Sequence, residues 1–323
     1  MNRFPLQIHI PKASRLIYGC MGLGGEWNNN PISDHDHTLA HNAVNTALEC
    51  GINFFDHADI YTMGKAEQAF SNVIKAEPKL RQDLIIQSKC GIRFADDDNP
   101  GRYDLSPQWI EFSVNGILER LGTEYLDILL LHRPDPLMEP DLIAEAFTRL
   151  YDSGKVRHFG VSNMNQHQIA YLHSCIEQPL IVNQLPMSLA RCDFVEDGIL
   201  VAMSESADTG FTPGMIDYCR KNNVQLQAWG CLDQGLFIGK DTSKEPAAVQ
   251  ATAKQVAEMA EDYQTSGEAI ALAWLMRHPA SIQPVIGTTD KDRIRACSQA
   301  MEVHLSREDW YKLYIASRGR SLP

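Results

Sequence analysis

The sequence predicts a (β/α)8 barrel, a closed sheet of eight parallel strands alternating with helices. Eight short apolar runs, each stopping at a polar residue or Gly, recur along the chain. Helix-like stretches separate them, which is the alternation that makes a parallel sheet. No Pro/Ser-rich linker interrupts the 323 residues, so residues 1–323 are read as a single domain.

The strand-like runs fall at 16–20, 52–56, 84–89, 128–132, 158–161, 181–184, 225–229 and 282–286. Met1–Lys12 precedes the first of them and is expected to form a small hairpin that caps the barrel floor. Helical periodicity marks Thr38–Glu49, Ser106–Leu121, Asp141–Ser153, Asn165–Glu177, Gly214–Lys221, Ala248–Tyr263 and Gly267–His278. Three long irregular stretches, Phe94–Pro107, Arg191–Pro213 and Leu232–Ala247, follow strands 3, 6 and 7. Chemistry on such a barrel collects at the C-terminal ends of the strands, so these loops belong to the functional face.

Composition narrows the function classes. A formal net charge of −12 argues against nucleic acid or an anionic membrane surface as partner. Eight scattered cysteines with no CxxC pair read as reduced thiols of a cytoplasmic protein, not as a disulfide frame or a zinc site. No N-terminal apolar stretch resembles a signal peptide, and no run approaches a membrane span.

Four polar residues stand at or just past the ends of three consecutive strands. Asp56 and Tyr61 follow Ile52–Phe55, Lys89 follows Leu84–Gln87, and His132 follows Ile128–Leu131. Strands adjacent in sequence are usually adjacent in space, so the four side chains are expected to share one pocket. A phenol beside an ammonium, a carboxylate and an imidazole is a proton donor with the means to tune its pKa.

At GINFFDHADIY (51–61) the chain resembles the aldo-keto reductases, and further matches follow in order: SKCG (88–91), LLLHRPD (129–135), GKVRHFGVSN (154–163), NQLPMS (183–188) and PVIGTTDKDRI (284–294). The resemblance covers nearly the whole chain, and the ordered set is more specific than any single piece. It implies an enzyme that reduces small aldehydes or ketones with NADPH stretched across the C-terminal face of the barrel, without a Rossmann domain. Carried over by position, Tyr61 is the proton donor, Lys89 the charge that favours its phenolate, Asp56 the partner of Lys89, and His132 the group that orients the carbonyl. A free phenol, with a pKa of about 10, is a sluggish acid and needs that help.

The resemblance also assigns a cofactor groove. Met21 and Gly22 lie past the first strand. Ser162, Asn163 and Gln184 match positions that bond the nicotinamide carboxamide, which needs both donors and acceptors. Trp229 falls where an aromatic ring stacks on the nicotinamide, its indole N–H requiring a partner. Gly230, Cys231, Leu232 and Gly235 form the loop over the pyrophosphate. Gly287 and Thr288 open a helix whose free backbone N–H groups suit phosphate. Arg293 matches the contact to the adenosine 2′-phosphate. Departures from the family pattern are Gly230-Cys231 for the common Ser-Pro, Gly287 for a frequent Lys, and Ala296-Cys297 for Glu-Asn. With Asp290 close by, they predict modest cofactor affinity.

Two other motifs are decoys. Tyr61-Thr-Met-Gly-Lys65 has the Tyr-x-x-x-Lys spacing of short-chain dehydrogenases, but GCMGLGG (19–25) runs into the loop Trp27-Asn-Asn-Asn-Pro31 and not into a helix. Lys65 is expected to be a solvated loop or helix-start residue. His35-Asp-His37 with His41 resembles the HxH of metal-dependent hydrolase barrels, yet lies at the entrance of the first helix, where Asp34 or Asp36 suits an N-cap or first-turn acid. No metal is expected.

Trp27, Phe94, Tyr103 and Phe237 are candidates for an apolar substrate lining, and the short tail after Arg318 is expected to leave the pocket open. The sequence is compatible with a monomer or weak homo-oligomer. Two rivals stand beside the reductase: a non-catalytic NADPH-binding sensor or scaffold on the same barrel, and the metal-dependent hydrolase. Cys90, next to Lys89, reads as a buried inert thiol.

Overall fold

The computed structural model describes residues 3–323. Eight parallel strands close into a barrel in chain order: β1 (Ile17–Gly19), β2 (Phe54–Asp56), β3 (Ile85–Cys90), β4 (Leu126–Leu131), β5 (Val156–Ser162), β6 (Leu180–Pro186), β7 (Gln225–Trp229) and β8 (Gln283–Ile286). β8 returns to pair with β1, Tyr18 lying opposite Ile286, so the sheet has no edge. All eight coincide with the runs read from the sequence.

The helices are α1 (Asp34–Glu49), α2 (Lys65–Ala76), α3 (Pro107–Leu121), α4 (Pro140–Asp152), α5 (Gln166–His173), α6 (Asp193–Ile199), α7 (Met215–Lys221), α8 (Ala247–Asp262), α9 (Gly267–Arg277), α10 (Lys291–Ser298) and α11 (Arg307–Arg318). Helix α1 starts with a reciprocal capping box, Ser33 accepting from the Asp36 N–H while the Asp36 side chain accepts from the Ser33 N–H. Asp36 is thus a first-turn acid, and its carboxyl is held below the usual range by the Ser33 hydroxyl. His37 and His41 are bonded to Asn72 and Asn45 respectively. Helices α9 and α11 are tied by a reciprocal pair of indoles. Trp274 and Trp310 stack at 5.2 Å, and each N–H donates to the other's backbone carbonyl.

Successive residues of a strand face opposite sides, so residues of one parity line the barrel interior. Ile17, Phe54, Ile85, Ile128, Leu130 and Val285 fill its lower half. Gly160 sits among them because a Cβ there would come within 2.7 Å of Leu130 and 2.8 Å of the Val182 carbonyl. The opposite parity packs outward against the helices; Phe159 of β5, for example, stacks at 4.0 Å on Phe147 of α4.

The floor is closed, but not by a hairpin. Met1 and Asn2 of the predicted hairpin lie outside the described residues, and the rest of the segment forms a 3-10 turn over Pro5–Ile8. Pro5 lacks an N–H and fixes φ, which suits the first position of a turn and not a ladder. Phe4, Leu6 and Ile10 drop into the lower core, and the Leu6 N–H donates to Gln225 at 3.3 Å.

The long segments after β3, β6 and β7 all emerge on the C-terminal face. The first carries an antiparallel ribbon, Ile92–Arg93 against Arg102–Tyr103. The second contains α6. The third begins with a turn in which Asp233, Gln234 and Gly235 all have positive φ. No helix among the described residues is long and apolar enough to cross a membrane.

Candidate active site

The same inward parity that builds the floor delivers a polar layer above it. Phe54 is followed two residues on by Asp56, Ile85 by Gln87 and Lys89, and Ile128 and Leu130 by His132. Asp56 lies opposite Gln87 in the parallel register, and the His132 N–H extends the ladder to the Cys90 carbonyl at 2.9 Å.

Lys89 is wholly buried, and its ammonium has three partners. It donates to Asp56 Oδ2 at 2.7 Å, to the His57 carbonyl at 2.8 Å and to the Tyr61 hydroxyl at 3.0 Å. Burial alone would lower the Lys89 pKa, but Asp56 and Tyr61 outweigh it, so the ammonium stays charged. Burial raises the Tyr61 phenol above its ordinary value, with Lys89 pulling in the opposite direction. His132 meets Tyr61 edge-on with ring centres 6.1 Å apart. Burial, with Lys89 and Arg133 adding to it, holds the imidazole neutral, its pKa pushed down to about 2. The four residues therefore converge as a proton-holding phenol beside a fixed cation and a neutral imidazole.

Two residues that the sequence reading missed complete this layer. Gln87 donates to Asp56 Oδ1 at 2.6 Å and to Gln227 at 2.9 Å; Gln184 donates to the same carboxylate oxygen at 3.2 Å and to Gln227 at 3.0 Å; Gln227 donates back to Gln87 at 3.2 Å. Three glutamines from β3, β6 and β7 thus brace the carboxylate that holds Lys89. Their signal in the sequence is an amide at an inward position of otherwise apolar strands, in LIIQSK and QLQAW.

Tyr61 itself sits at the start of an uncommon turn. Thr62, Met63 and Gly64 follow at φ 46°, 62° and 85°, a left-handed run that costs free energy at the two non-glycine positions. The Thr62 hydroxyl donates to the Leu23 carbonyl at 2.9 Å and pins the turn. Lys65 is the first residue of α2 and is buried, its ammonium donating to Asn28 at 3.1 Å. The expectation of a solvated lysine is corrected: the loop 24–28 folds over it, Gly24 approaching its backbone so closely that a Cβ would lie 2.6 Å away.

A cavity of about 570 Å³ opens on this layer. Of the predicted site residues, all but Lys89 and Gly22 line it: Asp56, Tyr61 and His132 on one side, and Met21, Ser162, Asn163, Gln184, Trp229, Gly230, Cys231, Leu232, Gly235, Gly287, Thr288 and Arg293 along the rest. Lys89 lies beneath the wall, and Gly22 faces Thr289, whose methyl group would be 3.3 Å from a Cβ. The Trp229 indole N–H donates to Asn163 at 3.1 Å, which answers the need for a partner. Among the proposed apolar lining only Trp27 reaches the cavity; Phe237 is core, and Phe94 and Tyr103 lie on the outer surface.

The groove suits an elongated cofactor at one end better than at the other. At the end predicted from the sequence to take the nicotinamide, the amide protons of Asn163 bond the His132 carbonyl and Ser162, and those of Gln184 bond Asp56 and Gln227. What remains for a carboxamide is chiefly acceptor oxygen, Gln184 Oε1 among it. Gly230 and Gly287 leave open space, since a Cβ at either would meet nothing within 4 Å. The entry to α10 differs from expectation. Its N–H groups are not all free: those of Asp292 and Arg293 bond Asp290 Oδ1 at 2.9 and 3.0 Å. A carboxylate already caps the turn, as the short Asp side chain favours. Arg293, half-exposed, is paired with Glu268 at 3.4 Å. All eight cysteines are free; Cys90 is buried and its thiol pushed well up by burial.

Comparison with known proteins bears on this site. The sequence model of the Aldo/keto reductase family matches residues 15–317. The chain is 33% identical over 314 residues to the uncharacterized oxidoreductase YcsN of Bacillus subtilis, covering 96% of each chain. It is 33% identical over 326 residues to a 6-dehydroglucose reductase of Agrobacterium fabrum, covering 100% of each. An aldo/keto reductase from Klebsiella pneumoniae, solved with NADP and acetate, shares the fold at a TM-score of 0.70 and 19% identity, over 93% of this chain and 90% of that one.

Proposed function

Because this chain belongs to the aldo/keto reductase family and is an oxidoreductase acting on carbonyls, we propose that it reduces small aldehydes and ketones to alcohols with NADPH, Tyr61 donating the proton. The observation that carries this reading is the contact of the Lys89 ammonium with both Tyr61 (3.0 Å) and Asp56 (2.7 Å) in a buried layer. NADPH supplies the hydride. Ser162, Asn163, Gln184 and Trp229 would hold its nicotinamide end, and Arg293 its 2′-phosphate.

The chain's own residues do the proton chemistry. His132, neutral and aimed into the cavity, donates a hydrogen bond that orients the carbonyl oxygen toward Tyr61. The phenol keeps its proton at neutral pH, being raised by burial, and releases it only as negative charge builds on that oxygen. Lys89 then stabilises the phenolate, while Asp56, braced by Gln87 and Gln184, keeps the ammonium from drifting. The groove's acceptor-rich nicotinamide end and the carboxylate at α10 support modest cofactor affinity. The surplus of acidic over basic residues, 41 against 29, supports the absence of a nucleic-acid or anionic-membrane partner.

The test is NADPH consumption with aromatic aldehydes, dicarbonyls, quinones and 6-dehydroglucose, comparing wild type with Tyr61→Phe. We expect the variant to lose about 10²–10⁴-fold in kcat while still binding NADPH. Tight NADPH binding with no turnover on any carbonyl would replace this reading by a sensor or scaffold.

A further inference from the structure

We propose that Arg133 is a specificity-determining residue that selects carbonyl substrates bearing a carboxylate, an inference that rests on the reductase reading above. Arg133 directly follows His132 and lines the cavity, as Trp27, Ile60 and Ile92 do. Its guanidinium carbon lies 6.0 Å from the centre of the Trp229 ring, and it is close enough to His132 to help keep that imidazole neutral.

The other cations around the cavity are already paired. Lys89 holds Asp56 at 2.7 Å, Arg293 holds Glu268 at 3.4 Å, and Arg191 holds Asp233 at 3.8 Å. Arg133 has no such partner among the described residues, although acids outnumber bases in this chain by 41 to 29. Asp135, two residues on, is committed to backbone: Oδ2 accepts from the Leu105 N–H at 3.0 Å and Oδ1 from the Leu137 N–H at 2.8 Å. Asp56 is neutralised by Lys89. The cavity lining therefore carries, among the described residues, one positive charge with no ion-pair partner, next in sequence to His132. A guanidinium presents paired N–H donors matched to a carboxylate, and a substrate that supplies one satisfies them in a partly desolvated place. Trp27 adds a flat apolar wall, which favours an aromatic body between the two groups.

The experiment compares 4-carboxybenzaldehyde with its neutral isostere 4-methylbenzaldehyde in wild type, Arg133→Met and Arg133→Lys. We expect wild-type kcat/KM to favour the carboxylate by about 10–100-fold, the range of a hydrogen-bonded charge contact. The ratio should fall to about one in Arg133→Met, be partly kept in Arg133→Lys, and shrink with added salt. Turnover of 4-methylbenzaldehyde with no carboxylate preference, or a preference that survives in Arg133→Met, overturns the inference and leaves the reductase reading intact. If neither aldehyde is turned over, that reading fails, and benzoate binding measured by tryptophan fluorescence still decides the role of Arg133. Binding about 10–100-fold tighter in wild type than in Arg133→Met sustains it; equal binding overturns it.

Discussion

The two halves of the barrel interior are built by the same strands and the same parity, yet they follow opposite rules. The lower half is mainly apolar and sealed by Leu6, with Phe54, Ile85 and Ile128 in one cluster and Gln225 bonded to the Leu6 N–H. Further along the strands the interior becomes polar, with Asp56, Gln87, Lys89 and Gln227 all fully or almost fully buried. Burial of apolar surface stabilises the first region, whereas burial of charge and amide costs free energy in the second unless every group is paired. The difference teaches that a strand's period of two fixes where a side chain points, while the layer it reaches decides whether it holds the fold or serves the cavity.

Removing the cation from the polar layer should have the largest effect. Lys89→Met leaves the Asp56 carboxylate buried with only amide donors, and a loss of about 3–5 kcal/mol is expected in urea unfolding, together with nearly complete loss of carbonyl reduction. Adding Asp56→Asn should restore much of the stability and none of the activity. Recovery of activity in the double variant would break the division of labour between the two halves.

Cutting the floor should do the reverse. Leu6→Ala removes a fully buried side chain far from the cavity, so a loss of about 2–5 kcal/mol is expected, with kcat of the folded enzyme kept within about twofold. A kcat that fell in proportion to stability would show the two halves to be coupled.

A smaller effect separates the halves by pH. His57, wholly buried behind Asp56, meets Phe70 edge-on and has its pKa pushed down to about 3 by burial, with Lys89 contributing. The unfolded chain takes up this proton near pH 6.5 and the folded protein does not. The stability that His57 contributes as a neutral ring is therefore fully present above that pH and lost as the pH falls toward 3. Between pH 7 and pH 5 the loss should be about 2 kcal/mol, read as a falling urea midpoint. His57→Leu should flatten the slope; an unchanged slope would trace the acid sensitivity to other groups.

The strands were legible because each is a short apolar run stopped by a polar or Gly residue, and the convergence of Asp56, Tyr61, Lys89 and His132 followed from strand order. What was not legible depended on contacts between distant segments. The burial of Lys65 comes from the loop carrying Gly24 and Asn28, and the capping of α10 from the choice of Asp290 between its own turn and a phosphate. Lys65 does start helix α2, one of the two readings its sequence allows, but the left-handed turn at 62–64 that precedes it carries no helical signal. Gln87 and Gln227 are 140 residues apart in the chain, and only closure of the barrel brings them within 2.9 Å.

That closure also bears on how the protein is made. Asp56, Tyr61, Lys89 and His132 all leave the ribosome within the first 132 residues, but Gln227 and the strand that seals β1, Gln283–Ile286, come much later. Until then the nascent chain has open strand edges and a carboxylate–ammonium pair without its full brace, the state in which aggregation competes with folding. Assembly of the site is thus a late event in synthesis, and a chain cut short before residue 283 has the reacting groups without the ring that aligns them.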